Sequence, residues 1–485
     1  MGFYEITKEM YNFAFTENGD KAYLSTGSYC LDYFSIIGGM RFNYQNSINL
    51  FLQAYYENPK LAIKLLFFVR DIKEGLGERN IFRYTFNMLS NMYPEVCKQL
   101  IEYIPIYGRY DDLLCCYDTP IRKDIVDLIK NQLQEDIQNK QNNKPISLLS
   151  KWLPSINTSN KESRALANKL CKSLNMKQEE YRKTLSYLRK DLIIENNLRE
   201  RNYTFDYAKV PGGAMYKYKM AFLANDSDRY HEYLYNVQSG KEKMNTQTLY
   251  PYQVIRSLEN YSISKEEKET LDVIWNNFDR TNISSKTIIV RDGSGSMYDG
   301  APVSAISVAT SLAILFAEQL QGEFKDKFIT FSSHPKLVEI KGNTISEKYD
   351  YISKYDEVAN TDIKKVYDLI LNVYQSKNFK QEDALDRIVI ISDMEFDEIP
   401  DFDKASYIYF KEKFQTLGFK LPEVVFWNVR ARNIHFPVIN EANVKLVSGA
   451  SQNTINNIVN NEEEDAYGLM LQCIKKYDFV DAIEL

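Results

Sequence analysis

The chain has 485 residues, 13% of them aromatic with 36 Tyr and 26 Phe, so it can bury sizeable cores in two or three domains. No apolar run approaches the ~18 residues of a membrane-spanning helix, so no membrane partner is expected. The net charge is −6, yet residues 151–219 hold 15 basic and 7 acidic residues while 286–485 carry 22 Lys+Arg against 31 Asp+Glu. A mildly acidic chain with one basic segment points to a polyanion partner for that segment.

The N-terminus lacks the basic-then-apolar pattern of a signal peptide. Gly2 resembles an acyl acceptor, but Ile6 stands where that motif needs Ser or Thr. Cys30, Cys97, Cys115, Cys116, Cys171 and Cys473 form no CxxC pair. That argues for a reducing, cytoplasmic compartment and against a zinc cluster or disulfide scaffold. Cys115–Cys116 reads as helix packing.

From about 33 to 133 the pattern is helical. Ile48, Phe51, Leu52 and Tyr55, then Leu61, Leu65, Leu66 and Val69, then Phe82, Phe86 and Leu89 recur near 3.6 residues. Short breaks at Asn58-Pro59, Gly75-Leu76-Gly77, Tyr93-Pro94 and Pro105 imply antiparallel neighbours, a helical array without a clean repeat period. Residues 139–143 read as a loop. A strong helix is predicted over 179–196, with Tyr181, Leu185, Leu188 and Leu192 on one stripe and Arg182, Lys183, Arg189 and Lys190 roughly opposite. That basic side is either a solvated face or a phosphate-contacting one. After a loop at 210–213, Tyr216-Lys217-Tyr218-Lys219 interleaves aromatics with cations, as base stacking requires and as ordinary helix surface also allows. Helices over 225–236 and 254–278 complete this half, and His231 reads as structural.

The character changes at about 284. A buried strand over 287–290 leads into Asp292-Gly293-Ser294-Gly295-Ser296, followed by a helix over 301–320 with Pro302 in its first turn. Strands are predicted at 327–331, 336–340, 387–392, 423–428 and 444–448. Helices are predicted at 343–355, 363–374, 407–417, 453–459 and 464–475, with Asn360-Thr361-Asp362 capping the second of these. Strand–helix alternation makes this a doubly wound α/β domain, and RIVIIS at 387–392 has the apolar continuity of a strand buried on both faces.

Ligands in such sheets bind beyond the carboxyl ends of the strands. Asp292, Ser294 and Ser296 lie there, with glycines that let one carboxylate and two hydroxyls turn toward one point. An oxygen set of this kind suits a hard divalent cation, Mg²⁺ above all. Asp393 ends a second buried strand at the same edge, and Thr361 stands at a helix start between them in sequence. In a plainer reading Thr361 is an N-cap and Asp393 a turn residue; each could serve both purposes.

Asp292-x-Ser294-x-Ser296 with Thr361 and Asp393 resembles the metal-ion-dependent adhesion site of von Willebrand factor A domains. The resemblance implies that Ser294, Ser296 and Thr361 offer hydroxyls to Mg²⁺ (or another divalent cation), that Asp292 and Asp393 balance charge through waters, and that an acidic group of a partner completes the shell. Arg291 departs from the pattern; it either faces solvent and favours an acidic ligand or partly occupies the ligand's place. KWLPS at 151–155, YRKTLSYLR at 181–189, NTDIKKVYDLIL at 360–371, SDMEFD at 392–397 and VFWN at 425–428 resemble the domain-of-unknown-function family 2828. The architecture is more distantly similar to the Ro (TROVE) ribonucleoproteins. These resemblances imply a HEAT-like, TROVE-like helical-repeat domain over 1–284 and a von Willebrand factor A-like domain over 285–485.

The expected function is a non-enzymatic Mg-binding scaffold holding RNA along Arg182, Lys183, Arg189, Lys190, Lys217 and Lys219. The alternative is a protein–protein adaptor whose partner supplies an acidic residue to the metal. An enzyme is not expected: Ser294 replaces the second Asp of a haloacid-dehalogenase phosphotransferase, and no GxSxG or histidine context marks a hydrolase, His334 and His435 included. Asn, Ile, Lys and Tyr usage hints at an AT-rich, viral genome, with the host cytoplasm or the virion as location.

Overall fold

A computed structural model describes residues 11–190, 192–260, 262–298, 303–356, 361–376, 380–400, 402–460 and 465–485. The readings attached to Gly2, Ile6, Pro302, Asn360 and residues 301 and 464 lie outside these. The described residues form a helical region followed by a mixed, mainly parallel sheet with helices, divided into two compact units.

The first unit comprises Met1–Val69, Glu74–Leu76 and Thr246–Lys476. Its larger sheet has six strands: β1 (Thr287–Asp292), β2 (Lys327–Phe331), β3 (Leu337–Glu339), β4 (Arg387–Ser392), β5 (Glu423–Asn428) and β6 (Val444–Ser448). They lie in the order β3-β2-β1-β4-β5-β6. All pairs are parallel except β2 with β3. Apolar runs at β1, β4 and β5 are buried on both faces, as a parallel sheet demands. The strand predicted to stop at Val290 runs on to Asp292, pairing Arg291 with Thr330 and Asp292 with Phe331.

The helix Ala305–Ala317 is buried along its whole length. A helix apolar all round must be covered on every side. One side rests on β1, and the helix Pro251–Leu258 packs on it too. Pro251–Leu258 and Lys265–Asn276 belong to the same compact unit as the sheet. These two helices replace the single one predicted over 254–278. Ser264 caps the second, accepting from Glu267 N at 3.2 Å.

The second unit comprises Arg70–Lys73, Gly77–Asn245 and Tyr477–Leu485. It contains the helices Arg79–Met92, Arg122–Gln141, Lys161–Ser173, Gln178–Arg189, Ile194–Glu200, Gly212–Asn225 and Ser227–Gln238 among shorter ones. The helix predicted over 179–196 is two: Ile193 is extended (φ −120°, ψ 110°) just before Ile194–Glu200 begins. Adjacent β-branched residues there weaken helix continuation. Residues 139–141, predicted as loop, are the end of Arg122–Gln141. Tyr207 packs its ring against Phe222 and Tyr233 at 5.2 and 5.5 Å. All six cysteines are free.

Candidate metal centre and basic face

The strand order reverses between β1 and β4: the chain leaves β1 toward β2 on one side and β4 toward β5 on the other. The crevice of an open α/β sheet forms at such a switch point. Asp292 is the last residue of β1 and Asp393 follows β4, so both carboxylates stand at that crevice. They are 0% and 2% exposed.

Asp292 Oδ2 accepts from Ser392 Oγ at 2.6 Å, and Oδ1 accepts from Ser294 N at 2.9 Å. Ser294 Oγ and Ser296 Oγ lie 2.9 Å apart. Arg432 donates to Asp393 Oδ2 at 3.1 Å, and Glu395 N to its Oδ1 at 3.3 Å. Burial, then the charge of Asp393, pushes the Asp292 carboxyl up to about 7. Burial likewise raises Asp393, against Ser296 and Arg432. Two desolvated carboxylates thus share one neighbouring cation, Arg432, which pairs with Asp393 alone of the two. An all-oxygen set with surplus negative charge is the chemistry a hard divalent cation fits. Among the described residues no group of three His, Cys, Asp or Glu could hold a metal ion, so the set would rely on its hydroxyls.

Asp292, Ser294, Ser296 and Asp393 are thus joined by contacts. Thr361 is held by others: Oγ1 accepts from Asn18 Nδ2 at 2.8 Å and has two acceptors for its proton, the Glu395 carbonyl at 2.8 Å and Asp397 Oδ1 at 3.1 Å. The capping carboxylate of the helix Ile363–Ser376 is Asp362, which accepts from Lys365 N at 3.1 Å. Arg291 does not face solvent. It is 1% exposed, donating to Thr310 Oγ1 at 2.8 Å and pairing with Asp356.

The sequence reading missed the N-terminal clip. Thr16 Oγ1 donates to the Phe396 carbonyl at 2.6 Å, Glu17 N to Glu395 Oε2 at 2.7 Å, and Asn18 Nδ2 to the Glu395 carbonyl at 2.7 Å. Gly19 forms an antiparallel bridge with Asp397. Partners some 380 residues apart leave no local pattern. Arg432 and Ser392 were missed too, although Ser392 directly precedes Asp393. A cavity of about 560 Å³ beside Arg432 is lined by Arg41, Phe42, Tyr44, Val429 and Arg430 among others.

In the helical unit, Arg182, Lys183, Lys190 and Lys217 are exposed. Lys183 pairs with Glu179 at 2.7 Å, and Lys217 lies 4.7 Å from the Tyr218 ring centre. Arg189 and Lys219 are turned into the fold. Arg189 donates to the Ser150 and Leu153 carbonyls and to Ser155 Oγ at 2.6–2.7 Å. Lys219 is 8% exposed and donates to the Tyr216 carbonyl at 3.3 Å.

The family model described as Domain of unknown function (DUF2828) matches residues 16–104 and 121–283, just over half of the chain. The model described as Domain of unknown function (DUF7788) matches 286–476. A curated relative, "Uncharacterized protein L728" of Acanthamoeba polyphaga mimivirus, is 28% identical, with 96% of this chain and 88% of that one covered. Among solved structures, the Deinococcus radiodurans Ro (RSR) protein aligns over 93% of this chain and 100% of its own, at 11% identity and a TM-score of 0.35.

Proposed function

We propose a function for a chain that belongs to the family described as Domain of unknown function (DUF2828): a non-enzymatic scaffold that binds Mg²⁺ at its sheet edge and RNA along its helical unit. The observation that carries the reading is the pair of buried carboxylates, Asp292 and Asp393, at the switch point beside the Ser294 and Ser296 hydroxyls. The sheet unit is read as a von Willebrand factor A domain and the helices as HEAT-like repeats. Thr361 is the proposed fifth metal ligand, and reaching the ion would require giving up its bond to Asn18. The RNA half is supported by the excess of basic residues in 151–219 and by the exposed Arg182, Lys183, Lys190 and Lys217. No catalytic residue is assigned. The proposed location is the host cytoplasm or the virion, in keeping with a viral relative. Among the described residues, no helix is long and apolar enough to cross a membrane.

One observation favours a second reading, a protein adaptor. The cavity lined by Arg41, Arg430 and Arg432 adjoins Asp393 through Arg432 and suits an acidic side chain directed at a metal. Mobility shifts with a structured RNA separate the two. The RNA reading expects binding that weakens steeply between about 50 and 200 mM salt and on reversing Arg182 and Lys190. No shift at low salt contradicts it. Partner binding abolished by EDTA or Asp292→Ala, with little salt dependence, favours the adaptor.

A further inference from the structure

Outside the basic face singled out from sequence, the helical unit holds a tighter cluster of cations. Four arginines surround two aspartates. Asp112, 0% exposed, accepts from Arg70 Nε and Nη2 at 2.7 and 2.6 Å, from Arg83 Nε at 2.6 Å and from Arg109 N at 2.9 Å. Asp111 accepts from Arg109 Nε and Nη2 at 2.9 and 2.6 Å and forms an ion pair with Arg83 Nη2 at 2.8 Å. These bonds occupy both carboxylates. Arg79 lies four residues before Arg83 on the helix Arg79–Met92, on the same face and exposed. None of these bonds to the two aspartates comes from Arg79. Burial, then repulsion from Arg109 and Arg83, lowers its pKa, which an adjacent anion would reverse.

The surplus continues. Arg109 stacks on Trp152, with Cζ 3.8 Å from the ring centre, and Lys151 Nζ lies 5.2 Å from the same centre. Four guanidinium groups thus gather about two carboxylates, with the Lys151 ammonium beside Trp152. Arg83 and Arg109 each keep about a quarter of the side chain exposed (26%), enough for a ligand to reach. The Trp152 turn is in turn held by Arg189, whose donors bind the Ser150 and Leu153 carbonyls. Arg189 ends the helix that displays Arg182 and Lys183, and Lys190 follows it. Bonded elements therefore link Arg79 to Lys190 within one unit.

We infer that Arg79, Arg83, Arg109 and Lys151 form a phosphodiester-binding cluster that anchors RNA at one end of this basic face. Planar guanidinium forks match phosphate oxygens in pairs, and a bound phosphate supplies the charge the two aspartates do not. The inference rests on the RNA reading proposed above and adds the place where the backbone is gripped most tightly.

Fluorescence anisotropy of the full-length chain with a labelled structured RNA tests it. Arg79→Glu and Lys151→Glu should each weaken binding about tenfold or more, and Arg79→Gln should lower the log–log salt slope by about one. Lys325→Glu, the same charge change at an exposed site of the acidic part, should do neither. Unchanged melting temperatures keep the comparison about binding. If the unaltered chain binds RNA and the Arg79 and Lys151 variants bind equally well, the cluster is wrong while the RNA reading stands. If the unaltered chain binds no RNA at low salt, both fall. Capture of a phosphopeptide instead of RNA, lost in Arg79→Glu, overturns the RNA assignment.

Discussion

Asp20 is buried against Ser406, whose hydroxyl donates to it at 2.6 Å. Burial pushes its carboxyl from 3.8 up to about 7, against the bonds from Ser406 and Lys21. The folded chain therefore holds this proton more tightly than the unfolded one. The stability it contributes is complete below about pH 4 and is lost as pH rises through about 7. Melting temperature should fall from pH 5 to pH 8, and Asp20→Asn should flatten that slope, on the order of a few kcal/mol across the range. An unchanged slope in a pH series of thermal melts counts against the burial argument. The arginines of the basic helix separate just as sharply. Arg189→Ala removes three donors from two carbonyls and a hydroxyl and should cost about 2–4 kcal/mol in denaturant unfolding. Arg182→Ala should stay within about 0.5 kcal/mol. Sequence assigned both to one basic side, because periodicity gives a residue's direction but not the carbonyls that meet it. Arg291 shows the same limit: its partner Asp356 lies 65 positions away.

Elements were legible where the chain is apolar and continuous. β4, β5 and β6 have the bounds predicted for them; in β4 and β5, buried on both faces, the apolar run is continuous, while β6 is broken by Lys445. Helix ends were harder. Ser264 with Glu267 three residues on is a capping signature inside the supposed 254–278 helix, and the apolar periodicity on either side masked it. Tertiary approach also placed a turn that propensity does not explain. The helix Tyr29–Ile36 reaches β6 through Gly38, whose N–H donates to Ser448 Oγ at 2.9 Å. A Cβ on Gly38 would sit 2.7 Å from the Gly449 and Ser448 backbone. Backbone cannot rotate aside as a side chain can, so Gly38→Ala should cost about 2 kcal/mol or more and lower the denaturant midpoint. A midpoint unchanged from the parent chain would show that the helix shifts without penalty.

For the whole molecule, helical periodicity followed by strand–helix alternation predicted a helical region and then a sheet with helices, and both are present. The fully buried helix Ala305–Ala317 packs against Pro251–Leu258, and residues 11–69 lie in the same compact unit as both. The Asp292–Ser296 loop and Asp393 were legible because each ends a recognisable strand at the same sheet edge. The clip over Thr361 was not, because Thr16–Gly19 lies more than 340 residues earlier. Calorimetric titration of EDTA-stripped full-length protein with Mg²⁺ tests the oxygen cluster most directly. One site per chain is expected, with heat lost in Asp292→Asn and in the double variant Ser294→Ala/Ser296→Ala, each still folded by circular dichroism. No heat from the unaltered chain, or equal binding by folded variants, would contradict the metal centre.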